Sequence, residues 1–388
     1  MSELKTIDQQ YVANTYARFP VEIVSGKGSV VCDETGKEYI DMGSGIGVTA
    51  FGIADDAWKA AVIAQLGKLQ HMSNLYYTEP CALLAQMLCE KTGMKKVFFC
   101  NSGAEANECA IKAARKYAAQ THGADTYTIL TLEKSFHGRT LATLSATGQD
   151  KYHAQFQPLL PGFVHTPAND LDALKAAAET HKLAAVMMEC VQGEGGVTAL
   201  SPSCVQGAAA FCKANDILLI IDEVQTGNGR TGTLYAYEQF GVEPDLVTTA
   251  KGLGGGLPLG ACLFGEKVQD VFQPGDHGST YGGSPTACAG AISILSRIDD
   301  KLLAAVREKS AYLFETFSRA EGIESVSGLG LMIGLKTTKP APEILAAARA
   351  RGVLALTAKE KIRLLPALNI PMELLQEAAE ILIDCCKL

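Results

Sequence analysis

Apolar and polar positions alternate through residues 21–52, VEIVSGKGSVVCDETGKEYIDMGSGIGVTAFG, around two turn signals, Ser25-Gly26-Lys27-Gly28 and Asp33-Glu34-Thr35-Gly36. That spacing predicts a small antiparallel sheet. The apolar period then lengthens to that of a helix over 55–69 and again over 80–91, where Thr78 or Glu79 is placed to cap and Pro80 stands in the first turn. Beyond it, short apolar runs alternate with helical stretches. KKVFFC precedes a helix over 104–119; TYTILTL leads into a loop and a helix over 170–180; AAVMMEC precedes a helix over 203–214; ILLIID and DLVTTA follow. Continuous apolar strands separated by helices predict a mainly parallel α/β sheet covered on both faces. A long helical tract over 286–319, the run GIESVSGLGLMIGLKTT, a helix over 342–351, VLALTAKEKIRLLPAL and a last helix over 372–388 predict a smaller α+β domain. The chain thus divides into an N-terminal segment with its small sheet (1–52), a large domain (53–288) and a C-terminal small domain (289–388), without repeats or low-complexity linkers.

Composition narrows this picture. The 388 residues are 47% hydrophobic and 20% charged, the balance of a folded chain with room for two or three domains. A formal charge of -8 with no basic block argues against nucleic acid or an acidic membrane as partner, since both are bound through clustered Lys and Arg. The start, MSELKTIDQQYVANTYARF, lacks the apolar stretch of a secretory signal, and no uncharged run is long enough to span a bilayer, so a cytoplasmic location is expected. Twelve cysteines are scattered from Cys32 to Cys386 with no CxxC pair and no neighbouring histidine pair, so no metal site is expected. Cys385 and Cys386 read as small apolar fillers at the end of the last helix.

In such a sheet ligands bind beyond the carboxyl ends of the strands, and the polar residues gather there. Lys251 follows DLVTTA and opens the loop KGLGGGLPLG; burial disfavours the charged form of a lysine in such a place and frees its amine as a nucleophile. Asn101-Ser102-Gly103-Ala104 open a helix directly after a strand, a pattern that serves a phosphate through unpaired amides and equally serves as an ordinary cap. Asp222 and Glu223 end a strand of apolar residues, where a carboxylate needs a cationic partner, either a protonated heterocycle or a core arginine. Phe136, His137 and Arg139 follow another strand, as do Glu189, Gln192 and Glu194; an aromatic there can stack on a planar ligand and an arginine can grip a carboxylate. Each also has a plain structural use, as core, solvated charge or satisfied histidine. Residues 227–232 fit GxGxxG, but five residues separate them from the strand and an arginine lies inside, which argues against a dinucleotide fingerprint.

Together these groups describe a pyridoxal phosphate site. Over 16–366 the chain resembles the class III aminotransferases through NSGAEANE, FHGRT, QGEGGV, IIDEVQTGNGRTG, TTAKGLGGGLPLGA and HGSTYGGSP, and within the class it is most similar to enzymes acting on N2-acetylornithine in arginine biosynthesis. The resemblance implies fold type I and a homodimer with active sites shared between subunits. It implies that Lys251 binds the cofactor covalently and carries protons, that Asp222 pairs with its ring nitrogen and Gln225 with its ring hydroxyl, and that Phe136 and Val224 enclose the ring. Ser102, Gly103 and Ala104 would hold the phosphate, with Thr280 reaching it from the neighbouring subunit. Tyr16, Arg139 and Arg363 match positions that bind substrate, and Glu194 matches a residue that pairs with Arg363 when no carboxylate is there. The implied reaction transfers the amine of N2-acetylornithine to 2-oxoglutarate. Ornithine, succinylornithine and 4-aminobutyrate are alternative donors, a mutase is an alternative chemistry on the same fold, and a catalytically dead scaffold is the alternative outside enzymes. The chain departs from many relatives in FGIADDA at 51–57, in Cys190 where proline is common, and in Gly282-Gly283-Ser284-Pro285 in place of GGNP.

Overall fold

The computed structural model describes residues 3–387, so Met1 and Ser2 of the N-terminal segment and Leu388, where the last helix was expected to end, lie outside the described residues. A seven-stranded sheet runs in the order Lys96–Cys100, Gly260–Phe264, Leu246–Thr249, Leu218–Asp222, Leu183–Met188, Thr128–Leu132, Phe163–Thr166. Its middle strands, Leu183–Met188 and Leu218–Asp222, are buried along their whole length, which is why they read as unbroken apolar runs rather than alternations. Each fully buried Leu, Ile or Met there contributes about 1.5–3 kcal/mol of transfer free energy. The helix Gly103–Thr121 lies on the sheet through Ala106, Ala110, Ala113 and Ala114, whose small side chains permit a close approach.

Two strands were not legible in the apolar pattern. Gly260–Phe264 pairs antiparallel with both its neighbours, because only the loop 250–259, with no crossover helix, separates it from Leu246–Thr249. Phe163–Thr166, expected as loop, is the sheet's outer strand, and its part-buried His165 hides the apolar signal. The helical tract expected over 286–319 is two helices, Pro285–Leu295 and Asp300–Ser318, because the Asp299 side chain accepts the Leu302 amide at 2.8 Å and starts the second one. At the N-terminus the polar stretch includes a helix, Glu3–Tyr11, with no buried residue.

The small antiparallel sheet, Ile23–Lys27, Val30–Asp33 and Glu38–Asp41, gains a fourth strand from far along the chain, Val353–Leu354, which pairs parallel with Glu38–Asp41. The N-terminal segment is therefore tied to the C-terminal part. There a four-stranded antiparallel sheet, in the order Ile323–Leu329, Met332–Thr337, Lys361–Leu364, Leu356–Ala358, brings Arg363 toward the large sheet. Among the described residues no helix is long and apolar enough to cross a membrane.

Candidate active site

The carboxyl ends of the strands open into a cavity of about 430 Å³ lined by Ser102, Gly103, Ala104, Phe136, Arg139, Asp222, Val224, Gln225 and Lys251, with Asn107, His137 and Glu189 also in its wall. One wall is the start of the helix Gly103–Thr121. Ser102 caps it, its Oγ accepting the Glu105 amide at 3.2 Å, while the Glu105 carboxylate reaches back to the Asn101 amide at 2.5 Å. The cap reading of Ser102 is thus correct as far as it goes, and the cap satisfies the Glu105 amide and not those of Gly103 and Ala104, which line the cavity at the positive end of the helix. A Cβ on Gly103 would stand 2.6 Å from Val224 Cγ1, so the helix start and the wall at Val224 meet only because that position is glycine.

Lys251 begins a single 3-10 turn, Lys251–Leu253, with φ of 44°, a left-handed conformation that costs a non-glycine residue roughly 1–3 kcal/mol. The loop behind it is packed backbone to backbone: a Cβ on Gly254 would lie 2.1 Å from the Leu257 carbonyl oxygen. Its glycines therefore close a tight turn that aims the lysine. Burial pushes the Lys251 amine below the ordinary lysine range; the carboxylates of Asp222, Glu194 and Glu189 pull it back and Arg363 adds to the depression.

Asp222 is held from three directions. Its Oδ2 accepts Asn107 Nδ2 at 2.7 Å and lies 2.8 Å from His137 Nδ1, and its Oδ1 accepts the Val224 amide at 3.0 Å. Asn107 has one possible orientation, because its Oδ1 accepts the Thr248 hydroxyl at 2.6 Å while its Nδ2 also donates to the His137 carbonyl at 2.8 Å. Burial opposes a charge on His137, but the hydrogen bond and the charge of Asp222 outweigh it, and its affinity for a proton is raised. Behind this pair, Glu189 accepts the amides of Phe136 at 3.0 Å and Gly193 at 3.4 Å, tying two active-site loops together; burial pushes its carboxyl up to about 7.

Arg363 is buried and donates through Nη1 both to Glu194 Oε1 and, at 3.2 Å, to Gln225 Oε1. Its Nε has no partner among the described residues. Arg139 is exposed, its guanidinium carbon 5.5 Å from the centre of the Phe136 ring. Arg363 and Glu194 are joined to the cavity wall through Gln225, and the other two residues expected in the site stand apart from it. Tyr16 is 72% exposed on the N-terminal segment beside Arg18, and Thr280 is exposed in a turn that the Asn74 amide ties down through Ser279 O at 2.9 Å and Gly282 O at 2.8 Å.

Three participants escaped the sequence reading or were undervalued by it. Asn107 lies inside NSGAEANE, and the available signal was a polar side chain on the alanine face of a helix packed on the sheet. His137 read as one more satisfied histidine, and its partner is the central carboxylate. Glu189, noted only as a strand-end acid, is the loop strut.

Residues 11–386 match the family model Aminotransferase class-III. The chain is 48% identical over 382 residues to the acetylornithine aminotransferase of Haemophilus ducreyi, covering 98% of this chain and 97% of that one. It is 44% identical to the acetylornithine aminotransferase of Caldanaerobacter subterraneus, with 98% of each chain covered. Among solved structures, an ornithine aminotransferase from Toxoplasma gondii superposes with a TM-score of 0.95 at 30% identity, covering 99% of this chain and 94% of that one. The N-acetylornithine aminotransferase of Stenotrophomonas maltophilia superposes with a TM-score of 0.85 at 36% identity, covering 98% and 97%.

Proposed function

The chain belongs to the class-III aminotransferases, pyridoxal phosphate enzymes of fold type I, and from that premise we propose that it transfers the terminal amine of N2-acetylornithine to 2-oxoglutarate. The products are N-acetylglutamate 5-semialdehyde and glutamate, a step of arginine biosynthesis. The cavity fits the cofactor: a glycine-cleared helix start suits its phosphate, a buried carboxylate its ring nitrogen, and a desolvated lysine its carbonyl. When bound, pyridoxal phosphate supplies an electrophilic carbonyl and a sink for the electrons of the broken C–H bond.

The chain's own residues do the rest. Lys251 Nζ would hold the cofactor by its carbonyl and, as a free amine, would take the proton from the amine-bearing carbon of the donor and deliver it to the cofactor. Asp222, kept in place by Asn107 and His137, holds a proton on the ring nitrogen. Gln225 would meet the ring hydroxyl, Phe136 and Val224 would enclose the ring, and Ser102, Gly103 and Ala104 would hold the phosphate. These roles place the cofactor in the large domain, 53–288, and draw Arg363 from the small one, 289–388.

The acylated donor is supported by the acetylornithine aminotransferases the chain is similar to, and the single observation that carries recognition of both a monocarboxylate donor and a dicarboxylate acceptor is the Arg363–Glu194 pair. With Arg363 neutralised by Glu194, Arg139 is the guanidinium left for the one carboxylate of an acylated ornithine. 2-Oxoglutarate, with two carboxylates, displaces Glu194 and uses both arginines. Charge stays balanced in each half-reaction, which matters because a lone buried ion costs several kcal/mol.

Thr280 and Tyr16, both exposed, act in this reading within a homodimer, Thr280 on the neighbouring subunit's phosphate and Tyr16 on substrate. Its support is an apolar exposed stretch, Leu75 at 88%, Tyr76 at 62% and Tyr77 at 107%, beside the Thr280 turn and Tyr281 at 66%. Sedimentation equilibrium should give twice the chain mass at micromolar concentration; a monomer that turns over at full rate contradicts the shared site. For the chemistry itself, Lys251→Ala should lose both the visible absorbance of the lysine-bound cofactor and glutamate formation. Retention of wild-type turnover would remove Lys251 from its role.

A further inference from the structure

Arg139 and Arg363 are held in opposite ways. Arg363 is buried with its Nη1 donors engaged by Glu194 and Gln225. Arg139 makes no ion pair and no hydrogen bond among the described residues; what it touches are rings. Its guanidinium carbon lies 4.4 Å from the centre of the Tyr152 ring and 5.5 Å from that of Phe136, and the two rings meet edge to face at 5.7 Å and 71°. A guanidinium attracted to an aromatic ring keeps its N–H edge free, and that edge is what binds a carboxylate bidentately.

We infer that Tyr152 is a positioning residue for the substrate carboxylate: its ring fixes Arg139 beside Phe136 with the donor edge unspent, so that each incoming carboxylate meets a preset guanidinium. The inference rests on the reading of Arg139 as the carboxylate-binding arginine. Tyr152 is itself firmly placed. It belongs to the short helix Asp150–His153, anchored on one side by His153 Nε2, 2.9 Å from the Leu144 carbonyl. On the other side Gln149 Nε2 donates at 2.9 Å to the carbonyl of Ser135, the residue before Phe136. The Tyr152 ring and the Phe136 ring are thus tied to one loop, and a free arginine's rotamer freedom, which binding would otherwise have to remove, is already spent in folding. Lys151 Nζ also lies 4.6 Å from the centre of the Tyr152 ring.

Because donor and 2-oxoglutarate both present a carboxylate to Arg139, loss of the ring should raise KM for both with kcat little changed; the Glu194–Arg363 pair answers to the dicarboxylate alone. The test is calorimetric binding of glutarate, an unreactive dicarboxylate, to the holoenzyme, alongside KM and kcat for both substrates. Tyr152→Leu should weaken glutarate roughly three- to thirtyfold, the range of a partly desolvated cation–π contact. Tyr152→Phe, which keeps the ring face, should bind as wild type, and Tyr152→Leu should add nothing in an Arg139→Met background. Unchanged visible absorbance of the bound cofactor shows an intact site; should the leucine variant lose it, Tyr152→Met takes its place. Wild-type affinity in the ringless variant overturns the inference, as does equal loss in Tyr152→Phe or an undiminished effect without Arg139. Wild-type glutarate affinity in Arg139→Met alone would instead refute the carboxylate reading on which it rests.

Discussion

Asp222 illustrates how much of a buried carboxylate's placement lies in its neighbours. A carboxylate at the end of a buried strand is costly unless donors surround it, and here Asn107, His137 and the Val224 amide do so. Asn107→Leu removes one donor and leaves the Thr248 hydroxyl without its acceptor. A hydrogen bond to a charged group is worth roughly 1.5–3 kcal/mol, so kcat should fall about ten- to hundredfold while the visible absorbance of bound cofactor persists. An unchanged kcat would show that Asn107 only fills space. Asp222 and Lys251 were legible in the sequence because polar residues ending apolar runs stand out. Asn107 was not, because one polar side chain within a helix looks like solvent-facing polarity until the sheet beneath is known.

At the scale of elements, the site depends on a helix start and a post-strand loop touching without a gap. Gly103→Ala would set a Cβ 2.6 Å and 2.9 Å from the two methyls of Val224, and β-branched valine has little freedom to turn away. Overpacking of this kind costs roughly 1–3 kcal/mol. The variant should bind pyridoxal phosphate more weakly in equilibrium titration of the apoprotein, and Val224→Ala in the same chain should restore part of the affinity; equal affinity in the single variant would show that the contact yields. Element order was largely legible, since buried parallel strands and their helices differ in period. The antiparallel strand Gly260–Phe264 was not, because its apolar run follows a glycine loop with no helix to announce a new strand. The break at Asp299 was likewise hidden, as the helical period resumes on either side of it.

Across the whole molecule, carboxyl groups depart from their ordinary proton affinity in both directions, raised by burial at Glu223 and Glu189 and lowered by hydrogen bonds at Asp33. Glu223 is fully buried, accepts the Tyr237 amide at 2.9 Å and the Thr226 hydroxyl, and is pushed by burial up to about 7. In the unfolded chain a glutamate releases its proton near 4.5, so between 4.5 and 7 the native state holds a proton the unfolded state has lost. Stability therefore falls as pH rises through that window. Asp33, held to about 2 mainly by the Thr35 hydroxyl, acts in the opposite sense and only below 3.8, where its stabilisation is lost as pH falls. Glu189, likewise pushed up to about 7 by burial, acts in the same sense, and His165, lowered to about 4 mainly by burial, opposes both below 6.5. Melting temperature should decline from pH 5 to pH 7, and Glu223→Gln should make the decline shallower; an equal slope in the variant would show that Glu223 contributes nothing to it. Contacts that join distant parts of the chain were the least legible. Val353–Leu354 completing the N-terminal sheet, and Arg363 arriving beside Glu194 and Gln225, depend on tertiary closure that no local pattern encodes.

At every scale these residues fit a transaminase for an acylated ornithine, in which Glu194 is proposed to shield Arg363 during the donor half-reaction. The most direct measurement is kcat/KM for N2-acetylornithine, succinylornithine, ornithine and 4-aminobutyrate, each with 2-oxoglutarate, by glutamate formation. N2-acetylornithine should give the highest value; a higher value for ornithine or 4-aminobutyrate would rule out the acylated ornithine as the preferred donor.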